Sequence, residues 1–348
     1  LIGDPSFKTD ERQLNSNEVV EQWVERLKPQ LSQFLDFDCG ENSAVLVNNL
    51  DWTQGYDVLG FMRDVGKHFS VNAMIQKESV KQRIEREGEG ISFTEFSYML
   101  LQSYDFAQLY KRHNCTVQVG GSDQWGNITG GIDLTRRMEQ NQVYGVTVPL
   151  VTKSDGTKFG KTETGTVWIS ANMTSPYALY QFWLNVADAD VYRYLKFYSF
   201  LSVNEIEEIE QSDKNSQGRR EAQSILAAEV TELLHGAAGL TAARRISDAL
   251  FSGNIAQLTN EDLDQLELDG LPCTVFAGGN KGIVEVLVDT DLAKSNKMAR
   301  EFIGNNAINV NGRLVDSVNF ELDVSNALNG KYFLLKRGKK LFHLAKFA

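Results

Sequence analysis

The alternation of apolar and polar positions divides the chain into three stretches of different character. Between residues 1 and 150, helical periodicities are interleaved with short β-rich runs. The pattern predicts a helix from Asn17 to Phe34, opened by Asn17 as cap with Glu18 in its first turn and broken by Pro29. Val45 to Val47 reads as a short strand and Thr116 to Val119 as another, while Phe93 to Leu109 carries aromatics and leucines at helical spacing. Strands alternating with helices over this length predict βαβ units and a parallel sheet, an α/β architecture. From Ser175 the pattern becomes helix upon helix: Ser175-Pro176 is an N-cap followed by proline, Ser202 to Glu205 has capping-box spacing, and Arg219 to His235 ends at Gly236. Thr241 to Phe251 supplies one more helix.

The last stretch changes again. Leu271 to Gly282 is loose and glycine-bearing, as a linker would be. Ser295 to Ile303 reads as a short helix with Lys297 and Arg300 exposed, and Asn311-Gly312 between Ile308/Val310 and Leu314 is a strong hairpin signal. Tyr332 to Leu335 and Leu341 to Leu344 predict a second hairpin turning at Lys336, Arg337, Gly338, Lys339 and Lys340. The expected division is therefore an α/β domain over 1–170, an α-helical domain over 171–253, a linker over 254–280 and a small α+β domain over 281–348.

With 348 residues, of which 42% are hydrophobic and 23% charged, the chain can bury more than one core. Its net charge of −11 argues against a nucleic-acid partner until the charges are placed. Residues 281–348 hold eleven basic and seven acidic side chains, so the remaining 280 residues carry 24 basic against 39 acidic. A net-positive C-terminal region on an acidic body points to RNA contact there, against the plainer reading of solvated lysines. Cys39, Cys115 and Cys273 are far apart, as are the four histidines, so neither a disulfide framework nor a local zinc motif is expected; a reducing, cytoplasmic setting is. No apolar run reaches the roughly 18 residues of a membrane span.

Three segments carry candidate chemistry. Gly156 to Thr162 invites a phosphate-loop reading, but only three residues separate its glycines, and Glu163 to Ile169 reads as loop and strand rather than the helix such a loop must open. Two lysines three apart on a mobile loop can close over a polyphosphate; a solvated turn is the alternative. Gly120 to Asn127 follows a strand and opens a helix through Arg137, the place where α/β folds bind nucleotides, with a simple capped turn as the alternative. Tyr98, Gln102 and Asp105 fall at i, i+4 and i+7 on one helix face, which could line a small polar pocket or be only partly exposed surface.

Taken together, Gly120 to Thr129 (GGSDQWGNIT), Lys158 to Thr162 (KFGKT), Phe93 to Leu101 (FTEFSYMLL) and Ile2 to Arg12 (IGDPSFKTDER) closely resemble the bacterial-type tyrosyl-tRNA synthetases. The resemblance runs from Leu1 to the end. It implies a Rossmann-like catalytic domain, a helical domain contacting tRNA and an S4-like RNA-binding domain, working as a cytoplasmic homodimer on tyrosine, ATP with Mg2+, and tRNA(Tyr), without a tightly bound cofactor or a protein metal site. By position in the matching motifs, Asp4, Tyr98 and Gln102 would hold the α-amino group of tyrosine. Asp105 would accept from the phenol with Asn49 in support, and Gln124 would sit near the reacting carboxylate. Gly121 and Asp123 would take the ribose. Lys158, Phe159, Gly160, Lys161 and Thr162 would form the counterpart of the Lys-Met-Ser-Lys-Ser loop, with Lys8 and Arg12 reaching the pyrophosphate from the other side. Lys297, Arg300, Lys336, Arg337, Lys339 and Lys340 would meet RNA.

One departure stands out. Class I synthetases carry a His-x-Gly-His motif, and no two histidines here are three apart. The resemblance therefore implies that the 348 residues begin inside the family's catalytic domain and form no tyrosyl-adenylate by themselves. Two rival readings are an RNA-binding protein on a synthetase scaffold, and a generic nucleotidyltransferase of the same superfamily, which leaves the tyrosine-like pocket unexplained.

Overall fold

A computed structural model describes the chain except residues 1, 5–13, 78–79, 82–83, 86–89, 158, 163–164, 216–219, 253, 339–340 and 348, with only the backbone described at 161, 162 and 256. The chain forms two compact units, Leu1–Thr152 and Lys153–Ala348.

In the first unit, helix α1 (Asn17–Leu31) is capped by Ser16, whose Oγ accepts from Val19 N, rather than by Asn17, and Pro29 lies in its last turn. Short helices α2 (Leu50–Thr53), α3 (Val58–Asp64) and α4 (Val71–Ile75) follow. The segment Val45 to Val47, expected as a strand, pairs with no other among the described residues; Val47 instead packs onto a cluster of Trp52, Val65, Tyr104, Ala107 and Leu134. Helix α5 (Phe93–His113) starts at Ser92, which accepts from Glu95 N, and stops at Asn114 in the left-handed region with Lys111, Arg112 and His113 in its last turn. The positive charges of Lys111 and Arg112 suit the negative end of the helix dipole.

Strand β1 (Val117–Gly121), helix α6 (Trp125–Glu139) and strand β2 (Tyr144–Val148) form the βαβ unit that the sequence predicts, with β1 and β2 parallel from Val117 opposite Tyr144 to Gly121 opposite Val148. Helices α5 and α6 meet at Gly131. A Cβ there would stand 2.9 Å from Phe106 Cβ, so a glycine is what lets the two backbones approach. Val117, Val119, Val146 and Val148 are exposed on the strands.

The second unit begins with the two-residue strands β3 (Lys161–Thr162) and β4 (Gly165–Thr166), which pair antiparallel. Helix α7 (Pro176–Leu184) has Ser175 as N-cap and proline in its first turn; α8 (Asp188–Tyr198) and α9 (Val203–Asn215) follow. At α9, Glu205 N bonds to Ser202 Oγ and Glu205 Oε2 accepts from Ser202 N, the reciprocal box that the spacing predicts. Helix α10 (Glu221–Ser252) is bent at Gly236, whose φ of 69° and ψ of 177° are non-helical and leave it one of the few residues able to sit there.

The expected linker 254–280 is a correction. It contains helix α11 (Asn260–Leu268) and strand β5 (Cys273–Phe276), which is hydrogen-bonded into the C-terminal sheet. Leu263 and Leu266 bury against Ile246, Leu250, Tyr332 and Leu344, while Arg245 makes two 2.7 Å bonds to the fully buried Asp262. The run of acidic residues in α11 hid its two core leucines from a periodicity reading. Beyond it lie β6 (Lys281–Gly282), α12 (Ile283–Asp289), α13 (Asn296–Gly304), β7 (Ile308–Val310), β8 (Arg313–Leu314), β9 (Glu321–Leu322), β10 (Tyr332–Arg337) and β11 (Leu341–Phe347). The main sheet has the order β5-β11-β10-β7-β8. Asn311 and Gly312 take φ of 50° and 78° between β7 and β8, the two positive values that a type I′ hairpin turn requires.

Candidate active site

The first unit gathers side chains from segments far apart in sequence around the polar face of α5. Gln102 Nε2 donates to Gln124 Oε1 at 3.2 Å, and Gln124 Nε2 in turn donates to Asp4 Oδ2 at 2.6 Å. Asn127 Nδ2 also donates to Gln124 Oε1, at 3.3 Å. Gln124 is thus held from both sides, and its amide orientation is set by the carboxylate of Asp4, which can only accept. The turn that presents it depends on its glycines. A Cβ at Gly121 would fall 2.5 Å from Asp123 Oδ1, and one at Gly120 would fall 3.0 Å from Gln124 Cβ. Asp123 and Gln124 therefore lie directly over bare backbone at the mouth of α6.

One turn further along α5, Asp105 accepts from Trp52 Nε1 at 2.8 Å and from Asn49 Nδ2 at 3.0 Å. Burial pushes its carboxyl up from the ordinary range, and the bonds from Asn49 and Trp52 work against that shift. Among the described residues each oxygen has one donor, which leaves lone pairs for a hydroxyl. Sequence reasoning placed Asn49 here and missed Trp52, which is only 6% exposed. An aromatic three residues past an Asn-Asn pair reads as core; its indole N–H is assigned only by the fold. Lys77, likewise missed, donates its Nζ to Gly126 O, and burial pushes its ammonium pKa down.

In the second unit, Lys161 and Thr162 pair with Thr166 and Gly165 as a short hairpin and do not start a helix, which removes the phosphate-loop reading. Phe159 packs among Phe182, Trp183, Tyr194 and Tyr198. Lys8, Arg12, Lys158, Lys339 and Lys340 lie outside the described residues, as do the side chains of Lys161 and Thr162. Lys297 and Arg300 are exposed on α13. Lys336 Nζ lies 4.9 Å from the centre of the Phe342 ring. Arg337, partly exposed, donates Nη1–H to Leu292 O and lies 4.9 Å from the Phe302 ring centre. Among the described residues no group of three His, Cys, Asp or Glu could hold a metal ion, and no helix is long and apolar enough to cross a membrane.

Residues 1–252 match the family of tRNA synthetases class I (W and Y), and residues 262–345 match the tyrosine–tRNA ligase SYY-like C-terminal domain. The tyrosine–tRNA ligase of Aliivibrio fischeri (strain MJ11) is 66% identical over 344 residues, covering 99% of this chain and 81% of that protein. That of Serratia proteamaculans (strain 568) is 56% identical over the same shares. Among solved structures, a C-terminally truncated Aspergillus nidulans mitochondrial tyrosyl-tRNA synthetase matches with a TM-score of 0.60 at 31% identity, covering 72% of this chain and 73% of that one. The fold, the glycine-turn site and these matches define a class I tRNA synthetase of the tryptophan and tyrosine branch. Within that branch the chain belongs to the tyrosyl-tRNA synthetases, the ligases that join tyrosine to tRNA.

Proposed function

We propose that the α5 face is the tyrosine pocket of this ligase, with Asp105 reading the phenol hydroxyl, and Asp4, Tyr98 and Gln102 reading the α-amino group. The observation that carries this is the pairing of Asp105 with Trp52 and Asn49 at one end of the helix face and the chain Gln102, Gln124, Asp4 at the other. A fixed acceptor at one end and a fixed carboxylate at the other suit a molecule with a phenol and an ammonium. Phenylalanine would leave Asp105 desolvated without a new donor, and an unmade bond to a buried acceptor costs more than the bond itself contributes.

The proposed reaction follows. A carboxylate oxygen of tyrosine attacks the α-phosphorus of ATP, the new O–P bond replaces the bond to pyrophosphate, and a tRNA hydroxyl then attacks the acyl carbon of tyrosyl-adenylate, forming the ester and releasing AMP. The attack needs little proton transfer, so positioning and cations dominate. Gln124 orients the carboxylate, Gly121 and Asp123 bind the ribose, and Lys158, Lys161, Thr162, Lys8 and Arg12 meet the leaving pyrophosphate, with Mg2+ accompanying the nucleotide. Lys297, Arg300, Lys336 and Arg337, with Lys339 and Lys340, contact tRNA. The family resemblance supports a homodimer, and the three free cysteines support a cytoplasmic setting.

Equilibrium dialysis of tyrosine and phenylalanine against the chain tests the pocket. Tyrosine should bind at least tenfold more tightly, and Asp105→Asn should remove most of the difference, because an amide must turn its NH2 toward either Trp52 or Asn49. Equal binding of the two amino acids by the parent chain would refute the reading and favour a nucleotidyltransferase of other specificity.

A further inference from the structure

The KFGKT segment contains one large apolar side chain, and the second unit provides a receptor for it. Phe159 has its ring centre 4.6 Å from that of Tyr194, 5.2 Å from Trp183, 5.4 Å from Phe182 and 5.7 Å from Tyr198, the last nearly stacked at 26°. Two of the four rings come from α7 and two from α8. Tyr194 and Trp183 are buried, so the cage belongs to the core of the helical region and its position does not depend on the loop.

The same face of α8 takes hold of the loop at a second point. Asp190, one turn before Tyr194 and itself 3% exposed, accepts from both Ser154 N at 3.0 Å and Ser154 Oγ at 3.1 Å, and its other oxygen accepts from Arg193 Nη2 at 2.7 Å. Beyond Phe159 the return strand closes with Val167 N donating to Gly160 O at 3.1 Å, and Trp168 N donates to Thr174 Oγ1 at 2.9 Å. Between these fixed ends, Phe159 is the one large hydrophobe of the segment, and it projects onto α7 and α8 rather than into water. Lys158 precedes it by one residue and Lys161 follows it by two, so wherever Phe159 is seated the backbone carrying both lysines is placed with it.

We propose that Phe159 is a positioning residue: the ring cage of Phe182, Trp183, Tyr194 and Tyr198 is the seat that sets the location of the lysine-bearing loop, with Asp190 fixing the loop's base. Aromatic pairs contribute beyond the area they bury, and a ring held by four others in mixed edge and stacked geometry has a defined position. A cavity of about 1220 Å³ lined by Phe159, Phe182, Tyr194 and Asp190 adjoins the seat, so the ring can leave it without unpacking the helices. The consequence for catalysis rests on the reading of Lys158 and Lys161 as pyrophosphate-binding groups; the seat itself does not.

Tryptic cleavage after Lys158 and Lys161 tests the seat on the chain as it stands, since both bonds flank Phe159. Phe159→Ala should be cut there about tenfold faster than the parent, the factor that about 1.4 kcal/mol of lost seating represents, while its thermal midpoint stays near that of the parent. Phe159→Tyr, which keeps a ring, should restore slow cleavage. Tyr198→Ala, which alters the cage and leaves the loop sequence intact, should reproduce the fast cleavage. Equal cleavage of parent, Phe159→Ala and Tyr198→Ala would overturn the proposal. Magnesium pyrophosphate, added in the same assay, addresses the lysines separately: protection of the parent supports their assigned role. Fast cleavage of Phe159→Ala without any protection of the parent keeps the seat and rejects that role.

Discussion

Removing the indole donor of Trp52 is the sharpest test of how the phenol end of the pocket works. In Trp52→Phe, Asp105 keeps the bond from Asn49 and loses the 2.8 Å bond from Nε1. A hydrogen bond to a charged group is worth about 1.5–3 kcal/mol, and because Asp105 is only half-buried the lower figure applies, roughly a tenfold swing from the ionised toward the neutral carboxyl. Burial already pushes this carboxyl up, and Trp52 is one of the two bonds opposing it. Tyrosine binding that needs the ionised form is present above the folded-state pKa of Asp105 and is lost as pH falls through it, so the substitution must move the acid limb of the binding profile to higher pH. Asn49→Ala should move the limb in the same direction, because its bond also opposes the shift that burial imposes on the carboxyl. Equilibrium dialysis of labelled tyrosine across a pH series gives both curves, and the midpoint of the limb separates this effect from any loss of affinity due to the smaller phenyl ring. A limb that stays in place in Trp52→Phe would refute the role of the Trp52 indole in holding Asp105 ionised.

Three further outcomes can be checked independently. Gly131→Ala adds about 1 kcal/mol of helix propensity, yet its methyl would meet the fully buried Phe106 at 2.9 Å; overpacking costs about 1–3 kcal/mol, so urea denaturation should show a net loss, and a gain would contradict the close packing of α5 and α6. Arg245→Met strands the buried carboxylate of Asp262 and should cost about 2–3 kcal/mol, below the range for a fully buried pair because Arg245 is partly exposed; an unchanged denaturation midpoint would show that α11 does not need the pair to dock. Lys297→Glu combined with Arg300→Glu should weaken tRNA binding and flatten its salt dependence by roughly 1.5 to 2 in the log–log slope, with tyrosine affinity untouched; an unaltered slope would remove α13 from the RNA surface.

Local signals in the sequence were enough wherever the deciding interaction was local. The Ser175-Pro176 start of α7, the reciprocal Ser202–Glu205 box and the Asn311-Gly312 turn were each legible because a cap, a box or a positive φ is settled by residues within a few positions of one another; Gly236, expected to end a helix, is the non-helical residue at which α10 bends and then continues. Val45 to Val47 failed by the same logic: its residues suit a strand, but a strand also needs a neighbour, and the structure turns Val47 into a packing residue beneath Trp52 and Tyr104.

That Tyr98, Gln102 and Asp105 share one helix face was also readable from helical geometry alone, and the four motifs carried the family. What completes the pocket was not. Trp52 and Asp105 are 53 positions apart, and Gln124 and Asp4 are 120 apart. The ring cage around Phe159 joins a loop to two helices, and the stretch expected as a linker became a helix and a strand once Leu263, Leu266 and Asp262 found partners on α10 and the C-terminal sheet. In each case the stabilisation comes from partners that meet only after the chain has packed, and no periodicity along the sequence records which distant side chain supplies the donor, the counter-charge or the facing ring.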